Sequence, residues 1–397
     1  MSDLPHADCA RPPWILTVIV LSQFAGTSLW FAGNAVLADL QVAWGLAPTA
    51  LGYATSAVQL GFIAGTLVFA FFAISDLVSP RIVFFLCSIL GALFNLGVYA
   101  FGEGLLTLLA FRFLTGFFIA GIYPVGMKIA SGWYQRDLGH ALGLLVGALV
   151  VGTAFPHLLR GVGQTLPWGT VLLAVSAIAA LGGLAMLAFV PDGPYLAKGA
   201  KFDPRVLAVI FRSREFRASC FGYFGHMWEL YAFWAFVPVV LAAHAAADLN
   251  VSLWAFVVIA AGFVGCAGGG LASLRAGSAR VAFVQLVASG ACCALSPLAF
   301  SAPTPVFLAF LVFWGIVVVG DSPQFSALNA RYAPRHLVGS ALTIGNCIGF
   351  AITIGSVQLL STLATSVSPA WLFVALAPGP VLGLIALRPL LRPASPG

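Results

Sequence analysis

The chain has 397 residues, 61% hydrophobic and 8% charged, and its 18 Lys and Arg against 12 Asp and Glu give a formal net charge of +6. Soluble domains carry about 25% charged residues, so this composition excludes an ordinary solvated domain. Apolar runs of the roughly 20 residues that a helix needs to cross a bilayer recur along the whole length and do not alternate as barrel strands would, which leaves a helical polytopic membrane protein.

Twelve transmembrane helices are expected in an all-α membrane protein. The first six fall at 14–36, 48–74, 81–101, 104–131, 138–160 and 167–190, and the second six at 216–242, 251–274, 280–300, 304–329, 336–361 and 369–388. The longest polar stretch lies between the sets. The expected division is 1–190 as an N-terminal six-helix bundle, 191–215 as a central cytoplasmic linker and 216–397 as a C-terminal six-helix bundle, the two bundles being pseudo-symmetric.

In span one, Gln23, Thr27, Trp30 and Asn34 recur at three- and four-residue intervals, a polar stripe on an otherwise apolar helix. Cavity lining is the preferred reading and interhelical hydrogen bonding the alternative. Between spans two and three, Asp76 and Arg81 are candidates for a gate. Span four holds Arg112, too deep for an ordinary surface charge, then Tyr123-Pro124, where the helix is disrupted, and Lys128. Arg112 could bind an anion or a carboxylate, or tie the helix to a neighbour. Tyr123 and Lys128 are candidate lining groups. His157 and Arg160 of span five read as outer gating groups, or as interfacial side chains that snorkel.

Span seven carries Gly225-His-Met-Trp-Glu-Leu-Tyr-Ala-Phe-Trp-Ala-Phe236. An ionisable group at the bilayer centre costs at least about 2.5–3.5 kcal/mol, so Glu229 near the midpoint needs a partner, a cavity or a task. His226 lies one helical turn before it, and Tyr223 one turn earlier again. Glu229 and His226 are expected to couple protons or contact substrate beside a water-accessible passage, with a structural hydrogen-bonded contact as the alternative. Further candidates are Trp314, Asp321 and Gln324 in span ten and Asn346 in span eleven. Asp321 is assigned to a gate, the other three to the cavity lining.

Basic residues in short loops fix orientation. Arg11, Arg81, Arg136, Lys198, Lys201, Arg205, Arg212, Arg214, Arg217, Arg275, Arg280, Arg331, Arg335, Arg388 and Arg392 fall on one side, while Asp39, Glu103 and Asp248 mark the other, with Arg160 the basic exception. Both termini are therefore expected in the cytoplasm. The seven cysteines form no spaced ligand set, so no metal is expected. The segment ahead of span one lacks the basic region of a cleaved signal, and Cys9 is not placed as a lipobox cysteine would be.

Two stretches carry a family pattern. Ser75-Asp-Leu-Val-Ser-Pro-Arg81 resembles a thinned form of the loop motif of the major facilitator superfamily. Residues 110–144, AFRFLTGFFIAGIYPVGMKIASGWYQRDLGHALGL, match its fourth-helix motif at Arg112 and Gly116 and its connection into helix five at Gly139 and Gly143. Residues 320–350 resemble the helix ten to eleven region of the same group. Within the superfamily the chain looks closest to bacterial nitrate/nitrite and cyanate porter-like members. The resemblance implies two six-helix bundles around a central cavity that opens alternately to either side, in a bacterial inner membrane. It raises coupling as the role of Arg112.

The functional expectation is secondary active transport of a small polar or anionic solute by alternating access, coupled to protons as a symport. The alternatives are proton-driven efflux of amphipathic compounds and a non-transport membrane sensor or scaffold. The expected partners are a small-molecule substrate, protons and the lipid bilayer, with the chain a monomer. No cofactor, nucleic acid or enzymatic reaction is expected, because no nucleophile and base share one depth and no glycine-rich run has a nucleotide-site context.

Overall fold

A computed structural model describes residues 12–134, 138–163, 165–196, 203, 212–244, 249–334 and 337–391. Cys9, Arg11, Arg136, Lys198, Lys201, Arg205, Asp248, Arg335 and Arg392, which carry part of the orientation reading, lie outside the described residues, as does most of the segment assigned to the linker.

Eleven helices among the described residues are long and apolar enough to cross a membrane. With the shorter apolar helix α1 (Trp14–Thr27) placed first, they are α2 (Ala50–Phe71), α3 (Pro80–Phe101), α4 (Leu105–Trp133), α5 (Leu138–Val162), α6 (Trp168–Phe189), α7 (Arg214–His244), α8 (Val251–Ala276), α9 (Ser278–Phe300), α10 (Thr304–Tyr332), α11 (Val338–Leu363) and α12 (Pro369–Leu391). Length and hydropathy suit the eleven longer helices to crossing a bilayer. Proline and glycine set their ends: Pro80, Pro305 and Pro369 occupy first-turn positions where a missing N–H costs nothing, and Gly277 takes φ 83° in the tight connection of α8 to α9. Asn250 caps α8, its side chain accepting from Leu253 N–H at 3.0 Å.

Span one departs from expectation. A continuous helix over 14–36 is predicted, whereas α1 stops at Thr27 and turns occupy 28–31 before two short helices, Ala32–Ala35 and Leu37–Trp44. Thr27 Oγ1 donates to Gln23 O at 2.8 Å and Ser28 Oγ to Ala25 O at 2.6 Å, drawing backbone carbonyls toward side chains and bending the helix.

The chain packs within each sequence half by the same device. In the first, α2 meets α4 so closely that a Cβ at Gly116 would overlap the Val58 carbonyl oxygen; in the second, α8 meets α10 with Gly315 against the Val258 carbonyl in the same way. Small residues permit such backbone approach in lipid, where apolar burial supplies no drive between helices. Both α4 and α10 are broken at a Gly-x-x-Pro, Gly121 to Pro124 and Gly320 to Pro323, because proline forfeits one backbone hydrogen bond and crowds the preceding turn. Across the halves, α2 packs on α11 and α5 on α8.

Candidate functional site

A cavity of about 1140 Å³ lies between the halves. Its walls take Thr66 and Phe69 from α2, Val125 and Lys128 from α4, Gly139, His140 and Gly143 from α5, Phe263 and Cys266 from α8, Gln324 from α10 and Gly339 and Thr343 from α11. It reaches the end of the molecule where Ser75 and Asp76 lie, and its rim residues Leu271 and Leu274 are exposed.

The opposite end is shut by aromatic rings drawn from both halves. Trp30 stacks on Phe350 with centroids 5.4 Å apart and lies 4.9 Å from Phe62 and 5.5 Å from Tyr231, while Phe31 meets Trp234 edge-on at 6.3 Å. All six are buried. Gln358 donates to Ser56 Oγ at 2.7 Å, and Asn250 to Gly161 O at 2.8 Å, fastening α11 to α2 and α8 to α5 at the same end. In this conformation the cavity is therefore open on one side only.

Lys128 is the cationic lysine of the cavity wall, and it is taken. Its Nζ lies 2.5 Å from Asp76 Oδ1 and donates to Ser75 O at 2.7 Å. Asp76, expected as a gate group, takes this lysine as a partner, since the four-carbon stem of Lys128 reaches the loop from α4. Arg81 is half-buried with its Nε unpartnered.

Arg112 is fully buried and outside the cavity lining. Its guanidinium donates to Leu29 O at 3.1 Å and to Trp30 O, the carbonyls that the break in span one has freed. A helix C-terminus carries partial negative charge, so the cation here caps the end of α1. At the far end of α5, Arg160 forms a two-point ion pair with Asp39, Nη2 to Oδ1 at 2.7 Å and Nε to Oδ2 at 3.0 Å. This pairing accounts for a basic residue on the otherwise acidic side. His157 is 2% exposed, and its Nε2 has no hydrogen-bond partner.

Glu229 is 1% exposed and does not line the cavity, contrary to the expectation that it borders a passage. Its carboxylate sits in the packing of α7, α9 and α10, where Trp314 Nε1–H donates to Oε1 at 2.7 Å, Ser289 Oγ–H to Oε2 at 2.9 Å and Cys293 Sγ reaches Oε1 at 3.5 Å. Donors meeting both oxygens replace the water that a buried carboxylate loses. Trp314 is thus a partner of Glu229 inside the bundle, packed 4.6 Å from Phe233, and lies outside the cavity lining.

His226 and Asp321 form a second buried unit. His226 Nδ1 lies 2.8 Å from Asp321 Oδ1, with each side chain 1% exposed, joining α7 to the break in α10. The ring of His226 is flanked by Tyr223 at 6.1 Å and Phe325 at 5.8 Å. Asp321, expected as a gate group at a helix end, is instead sealed against this imidazole.

Of the candidate lining residues, the cavity takes Lys128 and Gln324. Gln23, Thr27, Trp30, Asn34, Tyr123, Tyr223, Trp314 and Asn346 fall outside its lining. For the span-one stripe the cause is the break: Thr27 bonds its own helix, Trp30 joins the aromatic seal, Asn34 Nδ2 donates to Thr55 Oγ1 at 2.8 Å and Gln23 lies against Gly126 of α4. Apart from Gly139, which the family pattern marks, residues that the sequence does not single out line the wall symmetrically. Gly139-His-Ala-Leu142 at the start of α5 and Gly339-Ser-Ala-Leu342 at the start of α11 each supply the wall at their glycine, second and leucine positions. The repeated Gly-x-Ala-Leu is the signal that would have found them.

The family described as Major Facilitator Superfamily matches over residues 16–356. The human organic anion transporter MFSD10 (TETRAN) is similar in fold, with a TM-score of 0.72 at 14% identity over 95% of this chain and 100% of that one. The proton:xylose symporter XylE, solved with 6-bromo-6-deoxy-D-glucose, is similar with a TM-score of 0.75 at 13% identity over 95% of each chain. At these identities the likeness carries the fold alone. No curated protein sequence matches the chain.

Proposed function

Because the chain belongs to the Major Facilitator Superfamily, a family of transporters and not of enzymes, we propose that it moves a small solute across a membrane by secondary active transport, with alternating access and coupling to protons. The observation that carries this is the cavity walled by both halves, open at the Ser75 end and closed by aromatic rings at the Asp39 end. On this reading the chain has twelve spans, its broken first span included, in two six-helix bundles over 1–190 and 216–397 that rock about the cavity. The termini and the open end face the cytoplasm, a placement supported by the basic residues of the short loops, and the family resemblance supports a bacterial membrane.

The solute class has two readings. Resemblance to nitrate/nitrite and cyanate porter-like members, and the printed description of one fold relative as an organic anion transporter, support an anion. The cavity favours an amphipathic compound, because its lysine is neutralised by Asp76 while Phe69, Val125, Phe263, Leu271 and Leu274 supply its surface. Arg112 is spent on backbone carbonyls and offers no free charge to the cavity. Reconstitution in liposomes with an internal pH dye tests the proposal against a panel of inorganic anions, organic anions, sugars and amphipathic cations. Solute-dependent proton movement is expected with one class, and a wild-type protein that moves none of them overturns the reading.

A further inference from the structure

Two buried acids lie in the second half, and their surroundings differ in kind. Glu229 has both oxygens occupied by N–H and O–H donors from neighbouring helices. Asp321 has its Oδ1 2.8 Å from His226 Nδ1 as an ion-pair contact, and among the described residues neither of its buried oxygens meets a donor in hydrogen-bond geometry. His226 Nε2 is likewise buried and unpartnered. A carboxylate out of water with no donor on its oxygens relieves its desolvation by taking a proton, whereas donors at both oxygens offset part of that cost.

Position separates the two as well. Asp321 sits at the break in α10, two residues before Pro323 and three before Gln324, both on the cavity wall. Cys266, another wall residue, is an electrostatic neighbour of Asp321. Neither acid lines the wall itself; Asp321 differs in having Pro323 and Gln324 of its own helix on the wall, whereas no residue of α7 around Glu229 reaches it. The titratable groups near the pair are Tyr223 and Glu229 from α7 and Cys266 from α8, with Cys293 of α9 beyond, against Glu229; the nearest charged or titratable groups of the other half on the cavity wall are Lys128 and Asp76, paired with each other, and His140 of α5. The arginines of the packed elements, Arg214, Arg217, Arg275, Arg280, Arg331 and Arg388, are exposed at helix ends, so none of them neutralises the pair.

We propose that Asp321, oriented by His226, is the group that binds the coupled proton, and that Glu229 is a structural group whose hydrogen bonds hold three helices together. The consequence for coupling rests on the transport reading above. A proton that reaches Asp321 from the cavity side makes it a neutral acid, which accepts more weakly from His226 Nδ1, so the piece of α10 over Ser322–Tyr332 is held less firmly to α7. Gln324 and Pro323 ride on that piece, which links protonation to the shape of the wall. Release of the proton to water on the opposite side restores the pair.

Infrared difference spectra of the full-length protein in lipid, taken between mildly alkaline and mildly acidic buffer, read the proton without any solute. The expected result is a protonated-carboxyl stretch in wild type that is lost in Asp321→Asn, moves in frequency in Asp321→Glu and persists in Glu229→Gln. His226→Gln is expected to move it too. A band that survives Asp321→Asn, a band abolished by Glu229→Gln, or the absence of any band in wild type overturns the proposal. Asp321→Glu keeps the test usable if the asparagine variant misfolds. Failure of the solute panel in wild-type liposomes would remove the transport reading while leaving the band assignment intact.

Discussion

At the residue scale, three buried or half-buried ionisable side chains are each committed to a different partner type: Arg112 to carbonyls, Lys128 to a carboxylate and Glu229 to neutral donors. Arg112→Ala strips the freed carbonyls of Leu29 and Trp30 of their donor. Hydrogen bonds to a charged group are worth about 1.5–3 kcal/mol, so the variant should show a clearly lower melting temperature in detergent, with Arg112→Lys recovering part of the loss. Glu229→Leu should also destabilise, by about 1–3 kcal/mol for each donor left buried, as the Trp314 N–H and Ser289 O–H lose their acceptor. Glu229→Gln, which still accepts, should melt closer to wild type. The Lys128–Asp76 pair is about one-fifth exposed, and a double-mutant cycle on it should return no more than about 1 kcal/mol. Little of this pairing is visible in sequence. Hydropathy marks Glu229 as costly, but Ser289 and Trp314 lie on other helices, and nothing local announces that they converge.

At the element scale, hydropathy made the spans readable because lipid allows a backbone no alternative to helix. From α2 onward the expected and observed spans agree to within a few residues. The first span was not readable, since its break depends on Arg112 arriving from α4, eighty-odd positions away in sequence. With the break, the regular stripe of Gln23, Thr27, Trp30 and Asn34 loses its common face, and a period-based argument built on it fails. The breaks in α4 and α10 were half visible: Tyr123-Pro124 was marked, yet its counterpart at Ser322-Pro323 and the repeated Gly-x-Ala-Leu stood in plain sequence. Close packing of α2 on α4 and of α8 on α10 gives a symmetric prediction. Gly116→Val and Gly315→Val should each prevent the backbones from meeting and sharply reduce folded protein recovered from membranes, whereas Gly268→Val, which faces open space, should not. Equal recovery of all three variants would mean that these glycines do not set the helix distance.

On the scale of the whole molecule, the halves touch at one end and part at the other. The aromatic seal holds orphaned polar groups: among the described residues the indole N–H groups of Trp30 and Trp234 find no acceptor, and the amide NH2 and carbonyl oxygen of Gln59, on the same side of α2 as Phe62, find no partner. Buried polar groups are rarely left so, and opening the sealed end would return them to water, which lowers the cost of leaving the present conformation. Cys266 on the cavity wall offers a native reporter. Small thiol reagents should reach it from the Ser75 end, and Trp30→Ala, by loosening the seal, should slow that reaction as the population shifts toward closure of the cavity. Unchanged or faster labelling would separate the seal from the cavity.

Alternating opening of the two ends is tested most directly by distances between spin labels on the full-length protein in lipid nanodiscs. One pair, Val42→Cys with Thr365→Cys, spans the sealed end, and the other, His140→Cys with Leu274→Cys, spans the cavity mouth, all four sites lying outside the packed core. Lowering the pH together with the solute identified in liposomes should lengthen the first distance while shortening the second. If both distances stay fixed, or lengthen together, the two halves do not rock about a central cavity and the account is contradicted.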